Sequence, residues 1–168
     1  MKTYKTILFT FLIIFLSNIT VSQVYWIEIP SPTQKNLTKS LFVDSLYGWV
    51  IGDSGTVLRT TNAGTNWEAQ SSGVVSSELK DLTFISRNLG WIISVDSNFR
   101  SFILHTTNSG VNWIKSYYPD TTAVLSTIFF TDPNTGYVSG FNGRIYKTTN
   151  NSISWNECYI DTTSCLYL

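Results

Sequence analysis

Apolar and polar residues alternate in short runs along most of this chain. Leu79-Lys80-Asp81-Leu82-Thr83-Phe84 is one such run, and Trp49-Val50-Ile51 and Thr56-Val57-Leu58-Arg59-Thr60 are shorter ones. A period near two, with β-branched and aromatic enrichment, predicts strands. Between the runs, Gly52-Asp53-Ser54-Gly55 and Asn142-Gly143 hold residue types that accept positive φ, so they predict tight turns. Nowhere does the apolar pattern keep a 3.6-residue period long enough for a helix.

The pattern also recurs. Thr60-Thr61-Asn62-Ala63-Gly64-Thr65-Asn66-Trp67 returns as Thr106-Thr107-Asn108-Ser109-Gly110-Val111-Asn112-Trp113, and then as Thr148-Thr149-Asn150-Asn151-Ser152-Ile153-Ser154-Trp155. The three tryptophans are 46 and then 42 residues apart. A Gly-aromatic pair precedes each copy, at Gly48-Trp49, Gly90-Trp91 and Gly136-Tyr137, and a phenylalanine stands seven residues before each aromatic, at Phe42, Phe84 and Phe130. The aromatic-to-asparagine gaps are 13, 17 and 13, so four extra residues fall around Val95 to Ser101. Insertions collect in loops, which predicts a longer turn there. A period of this length marks a repeat architecture.

Each unit reads as four short strands, the fourth beginning at the box tryptophan. Four strands per repeat build a β-propeller blade. The fold class is therefore all-β, a propeller of about three blades spanning roughly 37–70, 79–117 and 125–159. Residues 24–29 read as an orphan outer strand and residues 164–168 as the start of another blade. Four blades are near the minimum for closure, so an incomplete, open propeller is predicted. The chain is then a truncated product or part of a longer gene product, or else a short form that closes by oligomerising. With unpaired strand edges and uncovered aromatic faces, it is expected to be poorly soluble, oligomeric or partly unfolded when alone.

Residues 1–22 resemble a secretory signal peptide: Lys2 and Lys5, an apolar core over 7–16, and Thr20-Val21-Ser22 before Gln23. The core is too short to span a bilayer, and no later segment could cross one. The mature domain of residues 23–168 is thus expected outside the cytoplasm, in the periplasm, on the cell surface or in the medium. Removing Lys2 and Lys5 leaves nine basic against eleven acidic residues, a net charge of −2. That balance argues against a nucleic-acid partner. Cys158 and Cys165 are the only cysteines. Export permits a disulfide between them, pairing with a further cysteine elsewhere, or two free thiols. One histidine and no paired-cysteine spacing call for no metal and no cofactor.

In the repeated box, Asn62, Asn108 and Asn150 are placed to bond backbone N–H groups just ahead, and Gly64 and Gly110 to adopt a conformation that side chains resist. Trp67, Trp113 and Trp155 would bury a large apolar surface. Ser152 replaces the glycine, so the third turn should be strained or reshaped. With Thr60, Thr106 and Thr148, these residues resemble the Asp-box of BNR-repeat propellers, which include sialidases, sortilin-type receptors and xyloglucan-degrading enzymes. The longer frame, from Phe through Gly-aromatic to Thr-Thr-Asn-x-Gly-x-x-Trp, looks most like the photosystem II assembly and stability factor family. The resemblance runs over nearly all of residues 24–168 and implies that the box is scaffold, remote from any binding centre.

Catalysis has little support. Sialidases of this kind use an arginine triad, a Tyr–Glu pair and an acidic residue. The mature arginines are Arg59, Arg87, Arg100 and Arg144, with no Arg-Ile-Pro segment. Asp44, Asp53, Asp81, Asp96, Asp120 and Asp132 are carboxylates of the right type, but most stand beside turn residues, where Asp bonds backbone. Arg59, His105 and Lys147 hold one repeat position and would form a weakly basic arc, or simply tolerate any long polar side chain. An arc could meet acidic peptide segments, as the assembly-factor resemblance implies. The reading is an exported, non-enzymatic propeller module that binds a protein partner or cell-surface component. The alternative is a fragment of a carbohydrate-active propeller that binds or hydrolyses glycan.

Overall fold

The computed structural model describes residues 27–116 and 124–158. These form three four-stranded antiparallel sheets, each a simple meander. Blade 1 is β1 (Leu37–Phe42), β2 (Gly48–Gly52), β3 (Thr56–Thr60) and β4 (Glu68–Ser71). Blade 2 is β5 (Glu78–Phe84), β6 (Gly90–Val95), β7 (Ser101–Thr106) and β8 (Ile114–Ser116). Blade 3 is β9 (Leu125–Phe130), β10 (Gly136–Gly140), β11 (Ile145–Thr148) and β12 (Asn156–Glu157). The arrangement is a partial, open β-propeller of three blades. The extra residues of the second unit lie in the β6–β7 hairpin, with both strands one residue longer than β2 and β3 and a turn at 96–100. Residues 27–29, the described part of the proposed opening strand, pair with no strand, and Ile27 is 73 % exposed. An outer strand forms only against a neighbour, and no described strand runs beside it. The rest of that segment, the terminal stub and Cys165 lie outside the described residues.

The first strands of the blades lie side by side. Thr38 Oγ1 donates to the Leu79 carbonyl at 3.0 Å, and Ile128 N donates to Asp81 Oδ2 at 2.9 Å. Each of these strands carries a bulge four residues before its phenylalanine, at Thr38, Lys80 and Ser126. A bulge shifts the face of every later side chain by one. That is why Lys80 and Asp81 stand together inside an otherwise alternating run.

The Phe-x5-Gly spacing is a cross-strand pair. Phe42, Phe84 and Phe130 stand opposite Gly48, Gly90 and Gly136. Each ring lies flat over its glycine, and a Cβ there would come within 2.7, 2.4 or 2.6 Å of it. The box tryptophan of the same blade meets the ring edge-on, at centroid distances of 5.9 Å for Phe42–Trp67 and 6.0 Å for both Phe84–Trp113 and Phe130–Trp155. The other ring face takes the Gly-aromatic of the preceding blade. Trp49 stacks on Phe84 at 3.8 Å and Trp91 on Phe130 at 3.5 Å. Such contacts contribute about 0.5–1.5 kcal/mol each beyond area burial.

The core consequently sits between blades. One cluster joins Trp49, Ile51 and Val57 to Leu82, Phe84, Ile92 and Leu104 across the first seam. The other joins Trp91, Ile93 and Ile103 to Leu125, Ile128, Phe130 and Val138 across the second. The pleat of β6 sends Trp91 and Ile93 to one seam and Ile92 to the other, so all six of its residues are buried.

Candidate functional site

The three box loops share one bonding scheme. Thr60 Oγ1 accepts from Gly64 N at 2.9 Å and donates to Asn62 Oδ1 at 2.9 Å, and Asn62 Oδ1 accepts from Asn66 N at 3.0 Å. Thr106, Asn108, Gly110 and Asn112 repeat it, as do Thr148, Asn150, Ser152 and Ser154. Every loop needs two consecutive positive φ values. Ser152 takes φ 67 where Gly64 and Gly110 take 82 and 80, so the third turn keeps its shape and carries the strain. Trp155 is 4 % exposed, whereas Trp67 and Trp113 are half-buried. In each box the threonine Oγ1 and the asparagine Oδ1 are engaged in holding the turn.

Arg59, His105 and Lys147 stand opposite Trp49, Trp91 and Tyr137 on the third strands. Arg59 Nη1 reaches the Ser109 carbonyl of blade 2 at 3.5 Å, and its Nη2 lies 3.5 Å from Glu68. Trp49 Nε1 and Gln70 Nε2 donate to the same carbonyl at 3.4 and 3.0 Å. Burial pushes the His105 pKa below its usual value. Lys147 Nζ lies over the Tyr137 ring, 5.6 Å from its centroid.

The carboxylates fall into separate roles. Asp44 and Asp132 cap first-hairpin turns at one repeat position, accepting from Leu46 and Tyr47 N and from Asn134 and Thr135 N. Arg87 bonds Asp44 at 2.6 Å, and with those backbone donors lowers its pKa to about 2. Backbone N–H groups likewise hold Asp96 and Asp132 below the ordinary carboxylate range. Asp53 bonds Asn36 Nδ2 at 2.8 Å. Asp120 lies outside the described residues. Asp81 is 5 % exposed and ties all three blades together. Its carboxylate meets Lys39 Nζ of blade 1 at 2.9 Å, and Thr127 Oγ1 and Ile128 N of blade 3 at 3.0 and 2.9 Å. Asp81 and Lys39 hold equivalent repeat positions, so only their pairing across the seam reveals the role.

One open surface is the face carrying the β2–β3, β6–β7 and β10–β11 turns. A groove of about 600 Å³ crosses it, lined by Glu78 and Lys80 of blade 2, the hairpin residues Val95, Asp96, Ser97 and Phe99, and Val124 and Phe141 of blade 3. A shallower hollow beside Asp53, Ser54 and Val75 shares Ser76 and Glu78 with it. Val75, Phe99 and Phe141 are 84, 74 and 65 % exposed. Phe99 has φ 59, uncommon for a bulky residue. Asp96 holds that turn: its Oδ1 accepts from Asn98 N and Arg100 N, both at 2.9 Å, and its carbonyl accepts from Phe99 N at 3.0 Å. The groove's charges pair locally, Lys80 with Glu78 at 2.6 Å and Arg100 with Asp96 at 3.1 Å. What it offers a ligand is apolar surface on a fixed loop. The four-residue insertion points to this hairpin; that Phe99 stands exposed on it, and Phe141 beside it on blade 3, is a tertiary property that no local pattern carries.

Residues 18–163 match the family described as Photosynthesis system II assembly factor YCF48. The chain belongs to that family. Two solved structures bearing the family name are similar. YCF48 from Cyanidioschyzon merolae has 25 % identity and TM-score 0.70 over 84 % of this chain and 46 % of its own. YCF48 bound to D1 peptide has 22 % identity and TM-score 0.68, over 80 % of this chain and 42 % of its own. This chain thus spans less than half the length of either. An ancestral GH74 enzyme shares the fold at 15 % identity and TM-score 0.55, over 74 % of this chain and 18 % of its own. A comparison with curated proteins finds no match.

Proposed function

We propose that this chain is an exported, non-enzymatic module that docks a segment of another protein, in the manner of an assembly factor. The observation that carries the reading is the groove flanked by Phe99 and Phe141, apolar and open on an otherwise locally neutralised face. Exposed apolar surface of this kind, on a rigid turn, is a docking feature. Family membership supports it, as does the D1 peptide bound by one similar structure. The signal-like residues 1–22 support export, and export would permit the Cys158–Cys165 bond. Arg59 and His105 belong to the seams in this reading, and Lys147 to the outer side of blade 3. The carbohydrate-active alternative has only the fold shared with the GH74 enzyme behind it, since Asp44, Asp96 and Asp132 are engaged by their own turns.

Selection from a random peptide library, followed by fluorescence anisotropy, tests the reading. The expected result is a peptide with apolar anchors whose affinity falls at least tenfold with Phe99→Asp and Phe141→Asp together. Peptides indifferent to those substitutions, or calorimetric heats with xyloglucan oligosaccharides instead, would overturn it.

A further inference from the structure

The face that carries the groove changes character from blade 3 to blade 1. In blades 1 and 3 the ladder between the first two strands ends at Leu37–Gly52 and Leu125–Gly140. Blade 2 adds one rung, Glu78–Val95, and its longer hairpin rises above that rung with Glu78 at its foot. The apolar groove over the second seam and the hollow over the first meet at Ser76 and Glu78, so one trough runs from Phe141 to Asp53. Its blade 3 end is apolar, with Val95, Phe99 and Val124. Its blade 1 end is polar and acidic, with Asp53, Ser54 and Ser77. Asp96 is spent inside its own hairpin, on Arg100 and two backbone N–H groups. Glu78 holds Lys80 through one oxygen and keeps 48 % of its side chain in solvent. Asp53 accepts from the neutral Asn36 amide at 2.8 Å and has no cationic partner among the described residues. The described lining of the trough therefore sets three carboxylates against one lysine.

We propose that the segment held in this trough is cationic: an extended stretch of a partner protein whose apolar anchor rests against Phe99 and Phe141, and whose neighbouring lysine or arginine reaches Glu78 and Asp53. The proposal rests on the docking reading above and adds to it the sign of the partner's charge. Each part of the trough lies over a seam with both of its blades in place. Glu78 keeps a second oxygen for a guanidinium or ammonium group, and such charge-assisted bonds are the stronger kind. An acidic segment would instead set its charge against Asp53 and Glu78, and like charges brought together at an interface oppose binding. The cations from which an acidic partner was expected do not offset this. Arg59 lies at the box end of its strand, on the Ser109 carbonyl and Glu68, away from the trough. The same acidic end disfavours phosphate-bearing surfaces, whether lipid or nucleic acid.

The charge of peptides selected from a random library on the full chain tests this. Lysine or arginine beside the apolar anchor is expected in the recovered sequences. In fluorescence anisotropy, replacing those cations by glutamate should weaken binding at least tenfold, and added salt should shrink the difference. Asp53→Asn together with Glu78→Gln should erase most of that discrimination at an unchanged melting temperature, since both changes keep the shape of side chains that already meet solvent. Phe99→Ser together with Phe141→Ser should weaken the cationic and the glutamate-bearing peptide alike. Neutral or acidic peptides that depend on the two phenylalanines would overturn this proposal and leave the docking reading standing. So would cationic peptides whose preference survives Asp53→Asn with Glu78→Gln, which would place the cation elsewhere. Peptides indifferent to the phenylalanines, or a selection that recovers none, would overturn both.

Discussion

Phe42 and Phe130 hold one repeat position, each over its blade's glycine and beside its blade's box tryptophan, yet one is 46 % and the other 2 % exposed. Nothing within their blades accounts for the difference. Phe130 has blade 2 against its open ring face and Phe42 has no described blade there. Burial in this architecture is a property of the seam, and a blade acquires half its core from its neighbour. Blade 2, with neighbours on both sides, buries nearly every residue of β6 and β7, whereas β1 buries none.

The sharpest way to break this comparison is truncation of the two rings. Phe130→Ala should lower stability by about 3–5 kcal/mol as a large-to-small core change, and Phe42→Ala by about 1 kcal/mol, measured by chemical denaturation. Equal losses would mean that the seam is not where burial arises. Asp81→Ala comes next, at about 2 kcal/mol. Its loss strands the buried Ile128 N–H, while Lys39, half in solvent, rehydrates. A loss below about 0.5 kcal/mol would deny that this carboxylate ties the blades.

The box glycines sharpen the contrast. Gly64→Ala and Gly110→Ala both force a side chain into positive φ, at about 1 kcal/mol. At Gly110 the new Cβ would also come within 2.2 Å of Gln70 Oε1 and break its bond to Ser109, adding about 1 kcal/mol. Gly64 has nothing nearer than 3.6 Å, so it should show the smaller loss. The smallest effect is pH dependence. His105 in the fold has a pKa below its ordinary 6.5, so the unfolded chain takes up a proton first. Stability from this group is complete above about pH 6.5 and is lost as pH falls towards the folded value. His105→Gln should flatten that part of a Tm–pH curve. The Asp44 contribution, present above about pH 4, disappears separately as pH falls towards 2.

The blades were legible in the sequence because each is a local meander whose alternation, turns and spacing are written contiguously. Phe42, Gly48 and Trp49 announce a blade without any knowledge of its neighbours. The bulges were not legible, since Thr38, Lys80 and Ser126 share no residue type. Asp81 stayed hidden among seven aspartates, because its partners lie 42 residues before and 46 and 47 after it. Arg59 read as a surface cation, but its hydrogen bond to a carbonyl 50 residues away is invisible to any local rule. The groove was half legible. The insertion located its hairpin, while Phe141 joins it only because blade 3 packs where it does.

Both seams are closed by an indole with no solvent exposure, Trp49 in the first and Trp91 in the second. The molecule therefore carries a native optical probe at each joint. Parting of the blades would wet that indole and shift its emission to the red, while the sheets themselves, and the far-ultraviolet dichroism they produce, remained intact. Replacing Trp49 or Trp91 singly by phenylalanine would remove the stacked indole of one joint at a time, and the difference from the parent emission would report that joint. The two emission transitions could then be read apart, and a coincident pair would show that the arc yields as one unit rather than hinge by hinge.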